Sequence, residues 1–211
     1  GIDDGDIRKA VENLKLPLAR MDVVYDGKFT IMIDFAHTPN ALEQILSSIK
    51  PDVKNKLIHV FGSAGERDSV KRAEMGKVSA KYAQIIILTS EDSRSEKTEK
   101  IMEQIESGMG NEKNKNIIFK IADRQEAINE AVKMANNGDF ILITGKGHEK
   151  SLNMGNGEIP WSEYEAVKKA LGKVQSDSAA RSRGCAVTLP NNKQPLIREC
   201  RLVAAKRSRN C

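Results

Sequence analysis

Cysteine is missing from most of this 211-residue chain: its three copies stand at Cys185, Cys200 and Cys211. The body therefore offers neither a disulfide framework nor a cysteine metal site, a usage that fits a reducing cytoplasm. Aromatics are scarce as well, at 4% (5 Phe, 3 Tyr, 1 Trp), so aliphatic side chains must fill the core. No apolar run approaches the ~18 residues of a membrane span. The polar, acidic start Gly1-Ile2-Asp3-Asp4 lacks the basic end and apolar stretch of a secretory signal. The phosphate-cradling pattern Gly-x-x-x-x-Gly-Lys-Ser/Thr is absent, and Gly145-Lys146-Gly147 is not the Gly-x-Gly-x-x-Gly of a dinucleotide fingerprint. The three histidines (37, 59, 148) have no metal-ligand spacing, so no zinc site is expected. No Ser-His-Asp or Cys-His arrangement stands out either.

What is present divides unevenly. The net charge of +5 belongs to the end of the chain, where residues 173–211 carry nine Lys/Arg and two acids; residues 1–172 are at −2. The body thus gives no reason to expect nucleic acid. Residues 173–211 read as a basic tail with a linker-like stretch at 176–184 and no stacking aromatic. A nucleic-acid or lipid-binding arm is one reading; a disordered or artificial extension is the favoured one. Truncation at Gly172 is accordingly expected to leave the fold unchanged. Residues 1–18 read as a linker and short helix (5–14) belonging to a preceding domain, and residues 19–172 as the domain proper.

Within that domain a rhythm appears. Residues 21–25 and 29–33 form two strand-like runs around Asp26-Gly27, a hairpin signal. Thr38-Pro39 then opens a helix, with Thr38 as N-cap and Pro39 in the first turn. Apolar strands at 57–61, 84–89, 117–121 and 140–144 alternate with helical patterns at 72–82, 96–107, from the Asp123 cap onward, and at 161–171. Such alternation means right-handed crossovers. The fold class is α/β: Rossmann-like, a mostly parallel sheet with helices on both faces, preceded by a short β-hairpin. No internal repeat is visible.

Open sheets of this kind bind ligands beyond the carboxyl ends of their strands, which selects four loops: 34–39, 62–68, 90–94 and 145–149. Loop 62–68 precedes a helix, so its amides suit an anion and Arg67 suits a carboxylate or phosphate; an ordinary turn with Arg67 paired to Asp68 or solvated is equally open. Arg94 offers a second guanidinium, against a local ion pair with Glu91 or Glu96. Gly145 permits close backbone approach. Glu149 suits an ammonium, or pairs with Lys146 or Lys150. Arginines facing a carboxylate match a zwitterion, that is, an amino acid. Asp34 suits a magnesium ion or a ribose and His37 a base or sugar, against simple helix capping. His148 is a base or an orienting donor. Arg20 is uninformative by chemistry alone.

Taken together, Ala19-Arg20-Met21-Asp22, then Asp34-Phe35-Ala36-His37-Thr38-Pro39-Asn40-Ala41-Leu42, Phe61-Gly62-x-x-Gly65-x-Arg67-Asp68 with Lys71-Arg72-x-x-Met75-Gly76, and Gly145-Lys146-Gly147-His148-Glu149 resemble the carboxy-terminal domain of the Mur ligases, of the MurE or UDP-N-acetylmuramoyl-tripeptide synthetase type. The resemblance covers about residues 15–171. It implies one part of an ATP-dependent amide ligase of peptidoglycan synthesis in the cytoplasm. Such an enzyme adds a third amino acid, diaminopimelate or lysine, to UDP-MurNAc-L-Ala-D-Glu. ATP and Mg2+ would be held mainly by a central domain, leaving this part inactive alone.

By the same resemblance Arg20, Asp34 and His37 face the nucleotide, while Arg67, Glu91, Asp92, Arg94, Gly145 and Glu149 hold the added amino acid. The family's diaminopimelate loop reads Asp-Asn-Pro-Arg; here it reads Glu91-Asp92-Ser93-Arg94. Arg94 favours diaminopimelate, whereas Asp92 suits a plain ammonium such as that of lysine. Another ligase of the superfamily, of polyglutamate or cyanophycin type, and a noncatalytic binding module are the competing expectations.

Overall fold

The structure, a computed structural model, describes residues 2–13, 17–111 and 115–181. The basic segment from residue 182 onward, with all three cysteines, lies outside the described residues.

A short helix, α1 (Asp4–Glu12), precedes the hairpin strands β1 (Asp22–Asp26) and β2 (Thr30–Ile33). They are joined by three residues, 27–29, rather than by a two-residue Asp26-Gly27 turn, because Asp26 pairs with Thr30. Then follow α2 (Pro39–Ile49), β3 (Leu57–Phe61), α3 (Val70–Tyr82), β4 (Ile85–Leu88), α4 (Thr98–Ser107), β5 (Ile117–Lys120), α5 (Arg124–Met134) and β6 (Phe140–Ile143). A small hairpin, β7 (Ser151–Asn153) with β8 (Glu158–Pro160), precedes the last helix, α6 (Glu163–Arg181). The caps fall where the sequence places them. Thr38 Oγ1 accepts from the Ala41 amide at 3.3 Å, and Asp123 Oδ1 from the Glu126 amide at 2.9 Å.

The main sheet runs β1-β2-β6-β3-β4-β5, with β1 antiparallel and the other five strands parallel. Its inner strands are apolar except for Thr30 in β2 and the buried His59 in β3, because both faces are covered. The period-two alternation divides them between two cores. Leu57, Phe61, Ile86, Leu88 and Leu142 pack under α2, α3 and α4. Ile58, Val60, Ile85, Ile87, Ile141 and Ile143 pack under α5 and α6.

Helix α6 corrects the expected boundary at Gly172. It continues through the Ser/Ala-rich stretch to Arg181, and Val174 packs against the second core. Alanine favours a helix once docking has nucleated one, so low periodicity did not mean a linker. Strands β7 and β8, only three residues each, are not among the runs expected from the sequence.

Helices α3 and α4 approach closely because glycines face each other's backbone. A Cβ on Gly76 would meet the Ile105 carbonyl oxygen at 1.9 Å, and one on Gly108 would meet that of Ala73 at 1.8 Å. This explains a glycine inside α3, where propensity disfavours it. Gly76→Ala should lower unfolding free energy by about 1–3 kcal/mol in urea denaturation. Gly172→Ala, whose added methyl meets nothing within 4 Å, should instead stabilise by about 0.5–1 kcal/mol.

Candidate functional site

The parallel strands bring loops 34–38, 62–69, 89–94 and 144–149 to one edge of the sheet, where they enclose a pocket of about 400 Å³. His37, Arg67, Glu91, Asp92, Arg94, Gly145 and Glu149 line it, so seven of the nine residues named from sequence surround one space. Phe35, Ala64, Asp68 and Lys71 complete the lining. Arg20 and Asp34 are not among the lining residues.

Buried charges hold these loops in place. Arg124, only 2% exposed, donates to the carbonyls of Ser90 (2.9 Å) and Thr144 (2.8 Å), the residues immediately before Glu91 and Gly145. Its Nε lies 3.1 and 3.3 Å from the two carboxylate oxygens of Glu163, which is fully buried in α6 and also accepts from the Trp161 indole at 3.2 Å. One guanidinium thus fixes the ends of β4 and β6 together. Arg72 does the same for loop 62–69, binding the Ala64 carbonyl at 2.9 Å and both oxygens of Glu96. The Arg72 guanidinium, helped by the Glu66 amide, draws the Glu96 carboxyl down to a pKa of about 2.

The hairpin β7–β8 supports the third loop. The Arg94 amide donates to the Asn153 carbonyl at 3.0 Å, and the Asn153 amide donates to Asp92 Oδ1 at 2.9 Å. Arg94 sits at φ 50°, a left-handed conformation that a non-glycine residue holds only when its surroundings fix it.

The pocket's charges are arranged unequally. Arg67 is exposed, pairs with neither Asp68 nor any other acid among the described residues, and so presents an uncommitted guanidinium. Asp68 instead caps α3, accepting from the Val70 amide at 2.9 Å. Arg94 donates to the Gly65 carbonyl at 2.6 Å and forms no ion pair with Glu91 or Glu96. Glu149 does pair with Lys146, at 2.5 Å. Glu91 is 7% exposed, and its Oε2 is buried without a hydrogen-bond partner. Burial pushes its pKa up, while Arg124, Lys71, His37 and Lys146 pull the other way. Gly145, at φ 109°, leaves Glu91 its space: a Cβ there would lie 2.6 Å from Oε2. This gives Gly145 a structural reason beyond access for a ligand.

On the pocket wall, Phe35 gathers one guanidinium and two imidazole rings. The Arg20 guanidinium lies 4.8 Å from its centroid, and the His37 and His148 rings lie at 4.8 and 4.9 Å. Asp34 lies beneath, its oxygens accepting from the Met21 amide (2.9 Å) and the Ala36 amide (2.7 Å). It ties the segment carrying Arg20 to the end of β2.

Arg124, Glu163 and Asn153 are not singled out by the sequence, and Lys146 is legible there only as a partner for Glu149, a pair that the structure contains. An arginine one residue after a helix cap looks like a solvated side chain, since nothing local reports that it is buried. The hairpin did have a signal, Asn156-Gly157, a turn pair flanked by Leu152 and Ile159.

The family model for the Mur ligase, glutamate ligase domain, matches residues 19–147. The chain belongs to the Mur ligase family. Over 172 residues it is 45% identical to the UDP-N-acetylmuramoyl-L-alanyl-D-glutamate–2,6-diaminopimelate ligase of Aquifex aeolicus, covering 82% of this chain and 35% of that protein. Over 171 residues it is 41% identical to the UDP-N-acetylmuramyl-tripeptide synthetase of Borreliella burgdorferi, covering 81% and 34%. A solved UDP-N-acetylmuramoyl-L-alanyl-D-glutamate–2,6-diaminopimelate ligase superposes with a TM-score of 0.70 at 33% identity, over 79% of this chain and 34% of that one. The folylpolyglutamate synthase/dihydrofolate synthase of Yersinia pestis complexed with AMPPNP and Mn shares the fold, with a TM-score of 0.54 at 16% identity over 83% and 35%. The chain spans about a third of the length of these relatives.

Two outcomes follow for this Mur ligase domain. Arg124→Met should cost about 3–5 kcal/mol in urea denaturation, because it strands the buried Glu163 carboxylate. Adding Glu163→Gln should recover much of that loss. The second outcome concerns His59, fully buried between Ser79 Oγ (2.8 Å) and Thr144 Oγ1 (3.0 Å). Burial, helped by Arg124, lowers its pKa from 6.5 to about 3. The folded ring stays neutral where the unfolded ring protonates, so its stabilising contribution is complete above pH 6.5 and declines as the pH falls toward 3. The decline should be about 1.4 kcal/mol per pH unit. His59→Gln should flatten the stability profile between about pH 6.5 and 4.5, read by denaturation at each pH.

Proposed function

We propose that this domain binds the incoming amino acid of an ATP-dependent amide ligase of peptidoglycan synthesis, working in the cytoplasm on UDP-MurNAc-L-Ala-D-Glu. One observation supports the reading above the others: the guanidiniums of Arg67 and Arg94 share a single pocket with the carboxylates of Glu91 and Glu149. Two guanidiniums suit two carboxylates, and the acidic side suits an ammonium. Diaminopimelate has that pattern of groups. Lysine, with one carboxylate, leaves one arginine unused.

In the reaction, the γ-phosphate of ATP passes to the D-glutamate carboxylate, giving an acyl phosphate and ADP. The neutral amine of the third amino acid attacks the acyl carbon, the C–O bond to phosphate breaks, and the nitrogen loses its proton. This domain's contribution is orientation. Arg67 and Arg94 hold carboxylates, Glu91 faces the distal ammonium with Glu149, already paired with Lys146, beside it, and Gly145 keeps the floor open. Asp92 lines the same pocket with its Oδ1 already occupied by Lys146 and the Asn153 amide.

Arg20 and His37, braced on Phe35 at the pocket wall, suit a nucleotide phosphate and sugar. Asp34, with both oxygens engaged, contributes by holding that segment. Mg2+ would neutralise phosphate charge. The reading assigns Mg2+ and most of the ATP contacts to the central domain of such a ligase. The 211 residues alone should then be unable to ligate.

Arg67→Ala in the parent ligase should raise the amino-acid KM about 10–100-fold, as expected for loss of a charge-assisted hydrogen bond, with a smaller change in the KM for ATP. Equal rises in both would contradict the assignment. Assay with diaminopimelate against lysine identifies the substrate. Ligation of neither would favour a noncatalytic binding module.

A further inference from the structure

We propose that Lys146 decides which diamino acid this pocket accepts, by masking two of its carboxylates from behind; the inference rests on the amino-acid-binding reading above. Lys146 is 1% exposed and absent from the pocket lining. Its ammonium lies 2.9 Å from Asp92 Oδ1 and 2.5 Å from Glu149 Oε2, bridging the loops that follow β4 and β6. Asp92 Oδ1 also accepts the Asn153 amide at 2.9 Å. The charge of Asp92 is thereby spent inside the protein, although the residue lines the pocket.

The arithmetic of charge then selects the ligand. The lining carries Arg67, Lys71 and Arg94 against Asp68, Glu91, Asp92 and Glu149. Lys146 balances this excess of one acid. A balanced site favours a ligand that is itself neutral, with two carboxylates for the two arginines. A diamino monocarboxylate brings a net positive charge and leaves one of the two arginines without a carboxylate. Glu91 stays outside the Lys146 bridge: its buried Oε2 has no partner and is available to one distal ammonium.

Opening the bridge should reverse the preference. Lys146→Gln frees Asp92 and Glu149 and makes the lining net negative, which favours lysine or ornithine. Asp92→Asn leaves Lys146 with one acid and makes the site net positive, which favours diaminopimelate. The two variants act at the same contact with opposite sign, whereas loosened packing would weaken all ligands alike.

The experiment is an NMR titration of the 211-residue chain with meso-diaminopimelate and with L-lysine, reading the ratio of the two dissociation constants. Wild type should favour diaminopimelate. Lys146→Gln should move the ratio toward lysine by about tenfold, and Asp92→Asn should move it the other way. Unchanged ratios, or shifts of the same sign in both variants, overturn the proposal. If Lys146→Gln does not fold, Asp92→Asn decides alone, because its carboxylate is 23% exposed and its replacement leaves no buried acid unpaired. A wild-type chain that binds neither amino acid removes the amino-acid reading and this proposal with it. One that binds both, with a ratio the variants do not alter, removes only this proposal.

Discussion

The pocket depends on one buried ion pair. Arg124 and Glu163 meet inside the second core, 2% and 0% exposed. Such a pair contributes little net stability, because desolvating both ions offsets their attraction. Its value here is geometric. The guanidinium has donors left over, and it directs them to the carbonyls of Ser90 and Thr144. Those carbonyls belong to neighbouring loops that a parallel sheet leaves unpaired beyond its last register. The same cation lowers the cost of a buried Glu91 nearby. A single residue, itself outside the pocket lining, thus sets both the shape and the local potential of the pocket.

The sheet makes that arrangement possible. Parallel strands place every β-to-α loop at one edge, and burial on both faces leaves that edge as the place where polar chemistry can reach solvent. The α3–α4 glycine contact brings Arg72 close enough to span from α3 to Ala64 and Glu96. Tight helix packing and loop placement are therefore one problem. A backbone separation set by missing Cβ atoms at Gly76 and Gly108 fixes the C-terminal end of α4 against α3, the helix that carries Arg72.

The parts of this architecture legible in the sequence are those encoded locally. Alternating Ile, Leu and Val marked the strands, and Thr38-Pro39 and Asp123 marked helix starts, because propensity and capping act within a few residues. The four loops were readable once the sheet was expected to be parallel. Buried charge was not readable. Arg124, Lys146 and Glu163 have the same local signature as solvated residues, and only the tertiary structure brings their partners together. Asp34 shows the reverse case: a motif aspartate whose oxygens meet the Met21 and Ala36 amides, which no spacing rule foretells. The length of α6 is not legible for a related reason, since Val174 is held by a core that a one-dimensional pattern does not contain.

The small hairpin carries a consequence for how such pockets diversify. Residues 91–94 do not hold their own shape: Asn153, some sixty positions further along, accepts from the Arg94 amide and donates to the Asp92 carboxylate. Transplanting that tetrapeptide from a relative would bring new side chains into a frame built for the old ones. An exchange of recognition between homologues must carry two distant stretches of chain as one inherited unit. The evolution of this pocket is thereby tied to a hairpin that lies outside its lining.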